Sequence, residues 1–152
     1  MIGRMYGMGI ASQAQTASKT LVEVASAATA VVFVERAYIK QTSFDTSENI
    51  GSTFQRITSS GTGTATTPRP FQNLDTAFAG TIETNATIEP TYNANGVLVE
   101  EGFNVLSGLL WTPANDDEVM VIPPSGLWGM NIDVAPSGSM NFSYGVTIRE
   151  IG

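Results

Sequence analysis

Apolar and polar residues alternate one by one through long stretches of this chain. In MNFSYGVTIREI (140–151), Phe142, Tyr144, Val146 and Ile148 fall on one face, and Ser143, Gly145, Thr147 and Arg149 on the other. A period of two marks a half-buried strand. LWGMNIDV repeats the pattern, with Trp128, Met130, Ile132 and Val134 together. Further strands are expected in TLVEVAS, VVFVERAYIKQT, FQRITS, TIETNATIEP, GVLVEE, FNVLSGLLWTP and EVMVI. Alanines over 23–37 would also suit a helix, but the succession Val31-Val32-Phe33-Val34 favours a buried strand. SSGTGTATTPRP (59–70) reads as a loop, and FQNLDTAFAG (71–80) has room for one helical turn capped by Asn73 or Asp75. NDDE reads as a hairpin turn. Short strands with turn signals every ~8–12 residues are the signature of a sandwich or barrel. No repeat of fixed period argues for a propeller or solenoid.

The stretch PPSG (123–126) interrupts this pattern most sharply. Pro123 and Pro124 cannot donate to a ladder, so they belong off the central sheet. Gly126 can adopt positive φ at little steric cost. EVMVI and LWGMNIDV are therefore expected as neighbouring strands joined by a stiff turn.

Residues 1–18 are rich in Gly, Met, Ala, Ser and Gln, and their glycines oppose a free helix. Met1, Ile2, Met5, Tyr6, Met8 and Ile10 make the segment apolar for a terminus. It reads as an extended arm that orders against a partner, followed by one sandwich domain over 19–152. Gly3, Gly7 and Gly9 around Arg4 break any continuous apolar run, so the segment does not read as a signal peptide.

Composition sharpens the picture. The chain has 152 residues, enough for a core without disulfides or a metal. Charged residues make up only 14 %, and 13 Ser with 18 Thr supply much of the polar surface. The net charge of −7 is uneven. Residues 1–76 carry six basic and five acidic groups; residues 77–152 carry one basic group and nine acidic ones. An acidic half with only Arg149 repels phosphate, which argues against a nucleic-acid partner. No apolar run reaches the ~18 residues of a membrane span.

The chain has no His and no Cys. That excludes Ser-His-Asp triads, His-based zinc sites, thiolate nucleophiles and cysteine-held clusters. Asp116, Asp117 and Glu118 offer oxygen ligands for calcium but lack EF-hand spacing, and read better as a solvated turn. Glu100-Glu101 could form part of a glycosidase carboxylate pair, but reads better as a polar strand end. GTGT (61–64) has no lysine and no strand-to-helix context for phosphate. Trp111 and Trp128 could stack on sugars, although such residues more commonly anchor cores and interfaces. No enzyme chemistry and no cofactor are expected.

The order of the C-terminal segments has a parallel. A strand ending in Trp-x-Pro (Trp111, Pro113) is followed by EVMVIPPSG, an alternating strand, a Pro/Ser/Gly loop and a last strand reaching Glu150. This resembles the trimeric jelly-roll decoration or cement proteins of tailed-bacteriophage capsids, with their tumour-necrosis-factor-like sandwich. The resemblance runs over 20–152 and is clearest over 105–152. It implies an all-β jelly-roll β-sandwich with an N-terminal arm. It also implies a homotrimer on the capsid surface of the virion, bound to the major capsid protein and to no membrane. Interface candidates are Met1, Ile2, Arg4, Met5, Tyr6, Met8 and Ile10 on the arm, with Trp111, Pro123 and Pro124. The alternative is a receptor- or glycan-binding tip domain of a viral fibre or tail, with Trp111 or Trp128 as the stacking platform.

Overall fold

A computed structural model describes residues 3–43 and 46–152. They form twelve strands: β1 (Arg4–Gln15), β2 (Lys19–Ala25), β3 (Val31–Gln41), β4 (Asn49–Ser59), β5 (Thr62–Thr66), β6 (Arg69–Pro70), β7 (Thr81–Ile88), β8 (Thr91–Asn104), β9 (Leu109–Trp111), β10 (Met120–Ile122), β11 (Leu127–Ile132) and β12 (Met140–Ile151). Sheet A has the order β10-β3-β12-β1-β6, with β9 also on β3; sheet B has the order β5-β7-β2-β11-β4-β8. All pairings are antiparallel. The chain crosses from one sheet to the other at most connections, and the sheets pack face to face as a β-sandwich.

The core follows the period-two pattern. Tyr6, Met8, Val32, Val34, Ile39, Phe142, Tyr144, Val146 and Ile148 enter it from sheet A. Leu21, Val22, Val24, Phe54, Ile82, Trp128, Met130 and Ile132 enter it from sheet B. Phe54 sets its ring 5.7 Å from that of Trp128 at 60°, and 6.0 Å from that of Trp111 at 90°. Such edge-to-face pairs add stability beyond the area they bury.

The expected arm is instead an internal strand. β1 pairs with β12 from Arg4↔Glu150 to Gln15↔Met140, with one register shift between Ile10 and Gln13, and holds β6 on its other side. Glycines concealed this alternation: Tyr6 and Met8 point inward, while Gly7 and Gly9 occupy the outer face between them. Aromatic side chains from other segments reach over both glycines, Phe71 at Gly7 and the Tyr38 hydroxyl at Gly9, which stays exposed. A Cβ on Gly7 would meet Phe71 at 3.2 Å, and one on Gly9 would meet the Tyr38 hydroxyl at 2.6 Å.

The PPSG turn also differs from expectation. β10 pairs with β3 in sheet A, whereas β11 lies between β2 and β4 in sheet B. The turn therefore carries the chain across the sandwich and does not close a hairpin. Gly126 N–H donates to Pro123 C=O at 2.8 Å, and Ser125, not Gly126, takes the positive φ of 58°. Pro124 and Ser125 thus occupy the central positions of a type II-like turn, where proline comes first and a left-handed residue second. Ser26 N–H donates to Gly126 C=O at 3.0 Å, tying the turn to β2's end.

Other expectations shift locally. The expected loop over 59–70 contains β5 and β6. Residues 71–80 hold a turn closed by Asp75 N–H to Gln72 C=O at 3.1 Å and no helix. FNVLSGLLWTP breaks at a turn in which Gly108 takes φ 76°. Val134 lies beyond β11 and is 58 % exposed, off the inward face of Trp128, Met130 and Ile132. Asp116–Glu118 forms a single 3-10 turn capped by the Asn115 side chain.

Candidate interaction surface

The outer face of sheet A is assembled by strand register. Residues directly opposite each other in antiparallel strands share a face. Val121 pairs with Phe33, Phe33 with Arg149, and Arg149 with Met5, giving one row across four strands. Leu110, Tyr38, Gly145 and Gly9 make a second row. Arg36, Thr147, Gly7 and Arg69 lie between them. Leu110 is 59 % exposed, Val121 40 % and Phe71 66 %.

This surface is ordered by its own contacts. The Arg149 guanidinium sits 4.6 Å from the centre of the Phe33 ring and pairs with Glu35 at 2.6 Å. Arg36 stands 5.9 Å from the centre of the Tyr38 ring. The Tyr38 hydroxyl reaches over Gly145 and Gly9, where any side chain would displace it. The glycines thus leave room for the Tyr38 hydroxyl over the sheet.

Sheet B is covered by its own chain at its centre, while Val97 of β8, in register with Gln55, is 49 % exposed. Glu23 points outward, yet it is 6 % exposed because the β4–β5 connection folds over it. Ser60 Oγ donates to one Glu23 oxygen at 2.5 Å and Gly61 N–H to the other at 3.1 Å. Gly129 is buried on this face under Ile57 and Tyr92. Burial pushes the Tyr92 phenol well above its usual range, against the hydrogen bond it shares with Thr20.

Charge divides in the same way. Five of the seven basic residues, Arg4, Arg36, Lys40, Arg69 and Arg149, lie on strands of sheet A, with Glu35 and Glu150 as that sheet's acids. Sheet B strands carry Lys19 and Arg56 against Glu23, Glu83, Glu100 and Glu101. The described acids of the connections are Glu48, Asp75, Glu89, Asp116, Asp117, Glu118 and Asp133, and no basic residue accompanies them. The imbalance between chain halves seen in the sequence becomes an imbalance between faces.

The interface candidates separate accordingly. Met1 and Ile2 lie outside the described residues. Met5 is on the outer face of sheet A. Tyr6 and Met8 are core residues, which corrects their expected place on a docking arm; β1 turns them inward. Ile10 packs half-buried against the core. Arg4 pairs with buried Glu150 at the sandwich end at 3.3 Å. Trp111 is half-buried against Phe54, and Pro123 and Pro124 are exposed at their turn. The residues of β3 that carry most of the open face, Phe33, Arg36, Tyr38 and Lys40, escaped sequence reasoning. The alternation of VVFVERAYIK contained the signal, but a bulge at Glu35-Arg36 turns both outward and shifts its phase.

The clefts offer less. A 310 Å³ cleft lies among Lys19, Glu89, Tyr92, Asn131 and Asp133. Its carboxylates are already engaged: Glu89 accepts from Thr20 N–H at 3.0 Å, and Asp133 from Thr53 Oγ1 at 2.8 Å and Asn131 Nδ2 at 3.0 Å. Among the described residues no three acidic side chains converge as a metal site. Comparison of the chain with protein-family models, curated proteins and solved structures gives no match.

Proposed function

We propose that this chain is a non-enzymatic virion structural protein that binds the outer surface of a bacteriophage capsid as a trimer and decorates or stabilises the shell. The observation that carries this reading is the open outer face of sheet A. It presents exposed Leu110, Val121 and Phe71 beside ordered aromatic rings, with Arg36 and Lys40 free of ion pairs among the described residues, whereas the centre of the opposite sheet, around Glu23 and Gly129, is covered by its own chain. An apolar face rimmed by polar groups marks a contact surface. The sheet-to-sheet winding supports a jelly roll, a fold with few long edges. The resemblance of residues 105–152 to capsid cement proteins supplies the setting.

The tryptophans weigh against the glycan-binding tip. Trp128 is 1 % exposed and Trp111 is packed edge-on against Phe54, so neither offers a free stacking platform. The test is imaging of virions grown with and without this chain. Loss of surface knobs at three-fold or quasi-three-fold positions, with earlier heat release of the genome, is the expected result. Light scattering on the purified chain checks the trimer; a stable monomer at micromolar concentration removes that part of the proposal.

A further inference from the structure

We infer that the outer face of sheet A is the shell-docking face and that its partner is an acidic, partly apolar protein surface. This deepens the capsid-binding proposal and rests on it for the identity of the shell. The occupant follows from charge complementarity. In a chain of net charge −7, this face presents Arg36, Lys40, Arg69 and Arg149 against the single acid Glu35. Glu35 is committed to Arg149. Arg36 and Lys40 make no ion pair among the described residues, and both are exposed.

A 230 Å³ cleft beside the edge of β3 joins these two cations. Arg36, Tyr38, Lys40, Gly108, Leu109 and Leu110 line it. A carboxylate entering there meets two cations, with Leu110 ready to bury apolar surface beside it. The three long strands β3, β12 and β1 run roughly 35 Å, and the short β6, β9 and β10 beside them widen the sheet to roughly 20 Å over part of that length, from standard strand spacing and rise. That gives about 500–600 Å², the size of a small interface and below the ~800 Å² per partner of a standard one.

The chemistry favours protein over polyphosphate. The cations are few and separated by Phe33, Tyr38, Leu110 and Val121, so they do not form the continuous basic track that a nucleic-acid backbone or anionic bilayer rewards. Isolated carboxylates set in an apolar surface match the spacing better.

The test uses the full-length chain with Arg36→Glu/Lys40→Glu and, as a control on sheet B, Glu100→Lys/Glu101→Lys. Binding is measured to shells grown without this chain and to poly-L-glutamate, duplex DNA and phosphatidylserine vesicles. Thermal melts and light scattering accompany each variant. The expected result is at least tenfold weaker shell binding for the sheet A reversal, with unchanged melting and oligomer size. Salt-sensitive binding of poly-L-glutamate should be lost in the same variant, and the sheet B control should lose neither activity. Unimpaired shell binding by the sheet A reversal overturns the docking face while leaving the capsid role standing. If wild type ignores shells but binds poly-L-glutamate through Arg36 and Lys40, the capsid role fails and the acidic-partner face survives. Binding to DNA or vesicles but not poly-L-glutamate, or dissociation of the oligomer by the reversal, overturns the inference.

Discussion

Glu150 lies 1 % exposed at the end of β12 and meets the half-buried Arg4 of β1 at 3.3 Å. Its other oxygen accepts from Ala79 N–H at 2.9 Å, while Arg4 also donates to Thr76 and the Tyr6 hydroxyl donates to Thr76 C=O at 2.9 Å. One buried carboxylate thus ties the first strand, the last strand and the 71–80 loop together. Arg4→Ala leaves that charge with a single hydrogen bond. The expected loss is about 2–3 kcal/mol, below the ~3–5 of a fully buried pair because Arg4 is partly solvated. Chemical denaturation measures it, and amide exchange at Ala79 should rise in parallel.

Removing residues 4–15 should abolish folding. An arm would leave the sandwich intact, but β1 fills the gap between β12 and β6 and buries Tyr6. Circular dichroism and a thermal melt of the truncated chain decide between these outcomes. A cooperative melt near that of wild type would show the strand to be dispensable.

Trp128→Ala should cost about 3–5 kcal/mol, since the indole fills the centre of the core against Phe54. Trp128→Phe should cost much less. Its lost volume is partly offset by removing the indole N–H, which is buried without a hydrogen-bond partner. The two melts, compared side by side, separate packing from polar burial.

Tyr144 gives the pH prediction. Its hydroxyl is buried with no partner, and burial raises its pKa from 10.0 to about 12. The folded state therefore resists ionisation that the unfolded chain accepts. Its contribution is fully present below pH 10 and falls away as pH rises towards about 12. Tyr144→Phe should raise stability near pH 7 by about 1 kcal/mol and shift the alkaline unfolding midpoint upward. Denaturant melts across pH 8–12 test both effects; an unchanged alkaline midpoint would exclude Tyr144 as a contributor.

Ser125→Gly should stabilise the protein by about 0.5–1 kcal/mol. Ser125 adopts φ 58°, a region costly to residues with a Cβ and open to glycine. Pro124→Ala should lower stability by a similar small amount by freeing the unfolded chain. Thermal melts of the two variants should therefore move in opposite directions.

What the sequence determined by itself is local and periodic. Alternation in MNFSYGVTIREI and LWGMNI placed Phe142, Tyr144, Ile148, Trp128 and Met130 in the core, because a strand sends successive side chains to opposite faces whatever it pairs with. The lack of His and Cys likewise excluded whole classes of chemistry without coordinates. Pairing partners were a different matter. PPSG announces a turn, but whether the chain turns back in one sheet or crosses to the other depends on where β3 and β2 wait to receive β10 and β11. Gly7 and Gly9 lowered the apparent strand propensity of β1, and only Phe71 and Tyr38, distant in sequence, supply the side chains that reach over them. The open face has the same origin. Arg36 and Lys40 share a face of β3 by its alternation, but Arg69 and Arg149 lie far along the chain, and only antiparallel register brings them to the same surface.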